Sequence, residues 1–327
     1  MRINICLASD IAYSRFLAAT MASVLKNSFS GNDLYFYILE NNFSQEIKNK
    51  ILELKKIRDF SISFINFDDS KICKIYERYN NLHHTTKVVF YRLFISDLLK
   101  DIDKIIYLDC DVIVLSDLKE MFNENIENYY LAGIEDIGYY YVGKDFGLQT
   151  YENYINAGIL LINLKMWRQE NICLKFIDTL NRNRDMFYFG DQDVINFVCR
   201  NKIKLLDLSW NVQKSFFEIS SLLYHPLRKY IRNARRKPKI IHYTTDKKPW
   251  NTYTPLQNKY FKYEKITPFS TNYNFIFKLK VFIAFLKFIF VDEIRFLISP
   301  IIKIYKHKNS IKMKIFNHFR FSIFKYK

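Results

Sequence analysis

Ile105-Ile106-Tyr107-Leu108-Asp109-Cys110-Asp111-Val112-Ile113-Val114-Leu115 holds the most hydrophobic strand pattern of the chain, and two carboxylates interrupt it. A short apolar run bounded by polar residues reads as a strand buried on both faces. On a continuing strand, residues i and i+2 share a face, so Asp109 and Asp111 are expected to converge on one cation. Two like charges held that close cost free energy unless a cation neutralises them. The plain alternative is a solvated turn that caps the next helix. The position of the pair at the end of so apolar a strand favours the metal.

Working outward, strand-like and helix-like segments alternate. Ile3–Ala8 reads as a buried strand, and Tyr13–Leu25 has helical spacing with small residues on one face. Leu34–Leu39 is strand-like, Ser44 opens a helix reaching about Lys56, and Ser61–Phe67 returns to strand. After a polar loop at Tyr79–His84, a helix over Lys87–Leu99 leads to the Lys104–Leu108 strand. This order predicts an α/β chain with a mostly parallel central sheet covered by helices. Ligands of such sheets sit beyond the carboxyl ends of the strands, which places Asp109 and Asp111 at the expected site. Farther on, Tyr139–Asn153 reads as a loop over the site. Ile155–Leu164 reads as a strand, Trp167–Asn181 and Phe189–Arg200 as helices, and Ile240–Tyr243 as a short strand.

Within 327 residues, 49% apolar and 25% charged residues exclude a wholly disordered chain, and 7 Gly with 6 Pro exclude a collagen-like one. The formal charge of +17 calls for an anionic partner. It is concentrated: residues 265–327 carry 13 Lys and Arg against 2 Asp and Glu. The five cysteines (Cys6, Cys73, Cys110, Cys173, Cys199) never fall in a C-x-x-C spacing, so buried thiols in a reducing cytosol are expected rather than disulfides or a zinc site. The apolar stretch at the amino terminus is too short for a secretory signal, and lysines at 278, 280 and 287 cut the region Phe275–Val291. A cytoplasmic chain without a membrane span is expected.

A second chemical motif is Ile240-Ile241-His242, followed by Lys247-Lys248-Pro249-Trp250. Alone, His242 is more often a hydrogen-bonded structural histidine. Beside two carboxylates it completes an oxygen and nitrogen donor set that suits Mn²⁺, and the lysines offer point charges to a diphosphate. Asn156-Ala157-Gly158 before an apolar strand and Gly190-Asp191-Gln192-Asp193 opening a helix carry planar amides and carboxylates suited to hydroxyl groups. Each has a bland counterpart, a turn and an N-cap box.

Taken together, these residues resemble glycosyltransferase family 8, the retaining nucleotide-sugar transferases, especially bacterial lipopolysaccharide galactosyl- and glucosyltransferases. The resemblance runs from about residue 3 to 250. It rests on Ala8-Ser9-Asp10, Tyr91-Arg92-Leu93, Tyr107-Leu108-Asp109-Cys110-Asp111, Asn156-Ala157-Gly158 through Trp167, Gly190-Asp191-Gln192-Asp193 and His242-Tyr243 with Lys248-Pro249-Trp250. It implies a GT-A (Rossmann-like) fold over residues 1–264. It also implies Asp109, Asp111 and His242 on Mn²⁺, with Mg²⁺ the alternative, and Lys248 on the diphosphate of a UDP-hexose. Ala8, Asp10, Tyr13 and Cys110 would then lie on the nucleotide side. Arg92, Asp136, Asn156, Ala157, Asp191 and Gln192 would surround the donor sugar, with Gln192, Asp191 and Asp136 nearest the chemistry. Two departures stand out: Thr245 where relatives often have Gly, and Ala12 where relatives carry Asn.

Retention implies either a carboxylate nucleophile, for which Asp193 and Asp136 are candidates, or front-face substitution beside Gln192. The expected acceptor is a lipopolysaccharide or other glycan or glycolipid. Residues 265–327 read as a basic amphipathic helical tail: over Phe275–Phe296, Lys280, Lys287 and Arg295 share about a quarter of the helical wheel. Such a helix suits an anionic membrane surface and predicts peripheral attachment to the inner face of the cell membrane, the alternative being a helix packed on the catalytic unit. The basic cluster Arg228–Lys237 reads either as a contact for a phosphorylated lipid-linked acceptor or as surface charge. A metal-dependent phosphohydrolase acting on nucleotide sugars and another anionic-ligand-binding protein are the competing functions. Nucleic-acid binding is not expected, because acidic residues crowd the proposed cleft.

Overall fold

Seven strands, in the order β3-β2-β1-β4-β7-β6-β8, make the central sheet of the computed structural model. It describes residues 1–79, 86–139, 154–182, 187, 189–218, 222, 225–298, 302–307, 310–315 and 319–325. Strands β1 (Arg2–Ser9), β2 (Asp33–Glu40), β3 (Ser61–Asn66) and β4 (Lys104–Leu108) run parallel, and β6 (Leu131–Glu135) is parallel to β8 (Ile203–Leu205). Strand β7 (Ile155–Asn163) is antiparallel to both β4 and β6. Leu7 pairs with Leu108, so β1 runs two residues past the end of β4. A separate ribbon pairs β5 (Val112–Val114) with β9 (Ile240–His242) antiparallel.

The interior of β1 and β7 is almost wholly buried because the sheet has an apolar layer on each face. One layer gathers Ile3, Ile5 and Leu7 with helix α1 (Ser14–Asn27); the other gathers Cys6, Leu160 and Ile162 with Trp167 and Phe176. The small-residue face of α1 has a definite task. Thr20 Oγ1 donates to the carbonyls of Cys110 and Val112, Ser23 Oγ accepts from Val114 N, and Asn27 Nδ2 donates to Val114 O. These bonds satisfy the edge of β5 that β9 leaves open, and they pin the chain on either side of Asp111.

Helix α2 (Gln45–Leu52) is capped by Ser44, whose side chain accepts from Ile47 N, and α3 (Cys73–Tyr79) follows β3. The expected helix over residues 87–99 is a 3₁₀ helix, Lys87–Phe94, that passes into α4 (Ile95–Leu98). After the short α5 (Lys119–Phe122), the expected helix over residues 167–181 is two: α6 (Leu164–Gln169) and α7 (Ile172–Arg182). Asn171 between them has φ 51°, which no helix carries. Helix α8 (Asp191–Cys199) starts after Gly190 at φ 56°. Helices α9 (Arg228–Arg236) and α10 (Gln257–Glu264) complete the part that holds the sheet.

Beyond it, α11 (Phe275–Ile298) is followed by β10 (Ile302–His307), β11 (Ser310–Ile315) and β12 (Phe319–Lys325), paired antiparallel in that order. The loop expected at Tyr139–Asn153 lies almost wholly outside the described residues, as does most of the one at Tyr79–His84. No helix among the described residues is long and apolar enough to cross a membrane.

Candidate active site

The strand expected to run on through Asp109 and Asp111 stops at Leu108, and a turn carries both carboxylates before β5 begins. They converge because of that turn rather than because of strand alternation. The β5–β9 ribbon brings the third group: Val112 pairs with His242, and Tyr243 N donates to Asp111 O at 3.0 Å. His242 Nε2 lies 3.2 Å from Asp111 Oδ1 and 3.8 Å from Asp109 Oδ2. One ligand atom from each residue falls within 4.8 Å of the others.

A divalent cation fits this cluster. Asp111 Oδ1 is buried without a hydrogen-bond partner, and two carboxylates with an imidazole are an appropriate donor set for a borderline-hard ion. Burial works against ionised Asp111, but Lys248 and His242 outweigh it and hold the carboxyl well below its usual range. Lys248 Nζ bonds Asp111 Oδ2 and donates to Tyr243 O at 2.6 Å. Gly158, opposite the cluster, leaves room for it: a Cβ there would lie 2.3 Å from His242 Cε1 and 2.6 Å from Asp109 Oδ2.

Arg92, only 5% exposed, joins this cluster to the next. Its Nη2 pairs with Asp109 Oδ1 at 2.8 Å, Nη1 donates to Ala157 O at 2.6 Å, and Nε lies 3.0 Å from Asp191 Oδ2. Its guanidinium also sits 4.6 Å from the centre of the Tyr107 ring. Burial raises the Asp191 carboxyl to about 6, Arg92 opposing and the charge of Asp109 adding to the shift.

Gln192 is held at both ends of its amide. Its oxygen accepts from Asn156 Nδ2 at 3.0 Å and Ala157 N at 3.1 Å, and its nitrogen donates to Tyr154 Oη at 3.2 Å. Asp136 Oδ2 accepts from Asn156 Nδ2 at 3.1 Å, and burial raises the Asp136 carboxyl while Asn156, Gly138 and Gln192 oppose the shift. Asp193 is fully buried: Oδ1 accepts from Tyr154 Oη and Oδ2 from Phe189 N at 2.6 Å. Asp193 thereby ties the residue before Gly190 to the first turn of α8.

A cleft of about 280 Å³ opens over the cluster, lined by Ala8, Asp10, Tyr13, Cys110, Thr245 and Lys248 together with Arg92, Asp109 and Asp111. Asp10 Oδ1 accepts from Tyr13 N at 2.9 Å, and Cys110 Sγ donates to Ala8 O at 3.1 Å. Asp136, Asn156 and Ala157 thus lie in the hydrogen-bonded group around Gln192, while His242 and Asp191 reach the cleft residues through Asp111 and Arg92; Ala12 is exposed and outside the lining. The sequence did not point to Asn211, which bridges His242 and Asn156, or to Tyr154, which holds Gln192 and Asp193. Asn211 follows Trp210 in a short 3₁₀ turn with no local motif, and only the fold brings it to the site.

Comparison with known proteins bears on the fold and the family. The chain is 30% identical over 279 residues to General stress protein A of Bacillus subtilis (strain 168), covering 82% of this chain and 95% of that protein. It is 26% identical over 254 residues to Glycosyltransferase GlyF of Streptococcus pneumoniae serotype 4 (strain ATCC BAA-334 / TIGR4), covering 78% of this chain but 58% of that one. The solved structure of galactosyltransferase LgtC with donor and acceptor sugar analogs shares the fold, at a TM-score of 0.72 and 21% identity over 85% of this chain and all of that one. The sheet and its surrounding helices are therefore GT-A-like. The profile of Glycosyl transferase family 8 matches residues 4–254, more than three quarters of the sequence, and the chain belongs to that family of glycosyltransferases.

Proposed function

We propose that this glycosyltransferase moves galactose or glucose from a UDP-hexose to a lipopolysaccharide or other cell-surface glycan, with retention of configuration and with Mn²⁺ held by Asp109, Asp111 and His242. The observation that carries this reading is the buried, unpartnered Asp111 Oδ1 facing His242 Nε2 in a cleft that also holds Lys248. A divalent ion there supplies charge that stabilises a departing diphosphate. Lys248 adds a second positive charge on the same side. Ala8, Asp10, Tyr13 and Cys110 line the nucleotide side, and Arg92, Asp136, Asn156, Ala157, Asp191 and Gln192 the sugar side.

Front-face substitution is the favoured chemistry. Both oxygens of Asp193 are engaged and the residue is sealed from solvent, which suits a structural carboxylate better than a nucleophile. The Gln192 amide is a weak nucleophile, and its fixed dipole suits stabilisation of developing positive charge at the anomeric carbon. Trapping a glycosyl adduct on Asp193 or Asp136 of the native chain would reject this version.

Residues 1–264 are read as the catalytic unit and 265–327 as its attachment to an anionic membrane surface at the cytoplasmic face. Helix α11 supports this: Tyr253 packs on Phe285 and Phe288, while Phe275, Ile276, Leu279, Phe282, Ile283 and Leu286 face outward beside exposed Lys280 and Lys287. The exposed, basic face of α9 suits phosphate groups of an acceptor or of the same surface. Removing residues after Lys265 should release the protein from membranes.

The deciding experiment is hydrolysis of a panel of UDP-sugars by the purified chain with and without Mn²⁺. Turnover of UDP-galactose or UDP-glucose that chelation abolishes supports the reading; no turnover of any UDP-hexose overturns it.

A further inference from the structure

Two backbone N–H groups can only donate, and from them the orientation of every amide near His242 follows. Gly158 N donates to the Asn156 side chain at 3.1 Å, so the atom there is Oδ1. Ala157 N donates to the Gln192 side chain at 3.1 Å, which fixes Oε1 of Gln192 and turns the Asn156 NH₂ toward it. Asn156 Oδ1 is then an acceptor facing Asn211, which must present its own NH₂ across 3.0 Å. The other end of Asn211 is its oxygen, 3.1 Å from His242 Nδ1. An oxygen at that distance accepts a hydrogen bond from Nδ1–H, so Nδ1 carries a proton and Nε2 is the nitrogen that faces Asp109 and Asp111.

We propose that Asn211 is a positioning residue for the metal centre: a relay from the Gly158 backbone N–H through Asn156 and Asn211 keeps a proton on Nδ1 of His242, so that Nε2 is the nitrogen the ring gives to a cation. All the relay side chains are buried, His242 4%, Asn156 7% and Asn211 0% exposed, so water does not compete for these bonds. A histidine side chain free in water favours the opposite tautomer, with the proton on Nε2, which would point a hydrogen at the metal position. Partners of a ligating histidine's remote nitrogen commonly set its ring orientation and change metal affinity by roughly 10- to 100-fold.

This inference uses the metal reading above but is testable without metal. In the ¹⁵N-labelled, metal-free full chain, raised in pH until the ring is neutral, the imidazole signals that vanish in His242→Gln belong to His242 and report its tautomer directly. The expected result is a protonated Nδ1 in the wild type, a shift toward Nε2–H in Asn211→Leu, and Nδ1–H retained in Asn211→Asp, which keeps an acceptor for the ring. Calorimetric titration with Mn²⁺ alone should show Asn211→Leu weakened at least 10-fold while thermal melts confirm that it folds. An Nε2–H wild type, or a folded Asn211→Leu that keeps Nδ1–H and binds Mn²⁺ within threefold of wild type, overturns the relay. If the tautomers behave as expected and Mn²⁺ binds neither chain, the relay stands and the assignment of the metal fails.

Discussion

Gly158 lies against the ring of His242 so closely that its missing side chain is part of the site: a Cβ would come within 2.3 Å of Cε1 and 3.0 Å of Nε2. The strand cannot retreat. Gly158 O accepts from Asp109 N at 2.8 Å, and Gly158 N is engaged by Asn156. The expected outcome for Gly158→Ala is displacement of the imidazole and loss of divalent-ion affinity by more than about 100-fold, with overpacking costing about 1–3 kcal/mol of stability. Mn²⁺ titration beside a thermal melt checks both, and wild-type affinity in a folded variant would refute the argument.

What the sequence disclosed followed from local pattern. Long apolar runs such as Ile3–Ala8 and Ile155–Asn163 became buried strands, and the acidic pair meets both His242 and Lys248. What it concealed depends on pairing between distant segments. Strand β5 is three residues long, too short for periodicity to register, yet its ladder with β9 is what carries His242 to Asp111. Strands β6 and β8 were hidden in the same way. Asn211 has no motif around it, and its importance lies in two hydrogen bonds to residues 31 and 55 positions away.

Thr245 carries a backbone strain at the edge of the cleft. It has φ 71°, a left-handed conformation that a β-branched residue adopts only at a cost of about 1–2 kcal/mol, and it lines the cleft beside Lys248. Thr245→Gly relieves that strain but adds freedom to the unfolded chain, so stability should change by less than about 1 kcal/mol. UDP should bind more tightly, because removing the side chain brings bare backbone to the diphosphate position. Thr245→Ala keeps the Cβ and should show no gain. Calorimetry with UDP and Mn²⁺ separates the two variants.

Asp191 makes stability depend on pH in a definite direction. Its carboxyl is raised from an ordinary 3.8 to about 6, chiefly by burial. Between these values the folded chain holds a proton that the unfolded chain has released, so the protonated form's contribution is full below the lower value and is lost as pH rises through the upper one. With chelator present, stability should fall by up to about 1.4 kcal/mol per pH unit across that window on account of this group. Asp191→Asn should remove that slope. Denaturant melts of both chains from pH 3.5 to 7.5 test it, and parallel curves would show that Asp191 titrates normally.

Arg92 sets a last, sharper test, since its role depends on shape as well as charge. One planar guanidinium reaches Val89 O, Ala157 O, Asp109 and Asp191 at once, and it does so while buried over Tyr107. A lysine at this position has a single ammonium on a flexible stem and cannot hold both carboxylates in place. Arg92→Lys should therefore keep the net charge yet lose about 100-fold in kcat/KM for Mn²⁺-dependent UDP-hexose hydrolysis, about 3 kcal/mol in transition-state stabilisation. Arg92→Leu leaves Asp109 and Asp191 without their cation and should also destabilise the fold by about 3–5 kcal/mol. If the lysine variant matched wild type in both kinetics and melting, charge alone would suffice and the bridging geometry would have no part in activity.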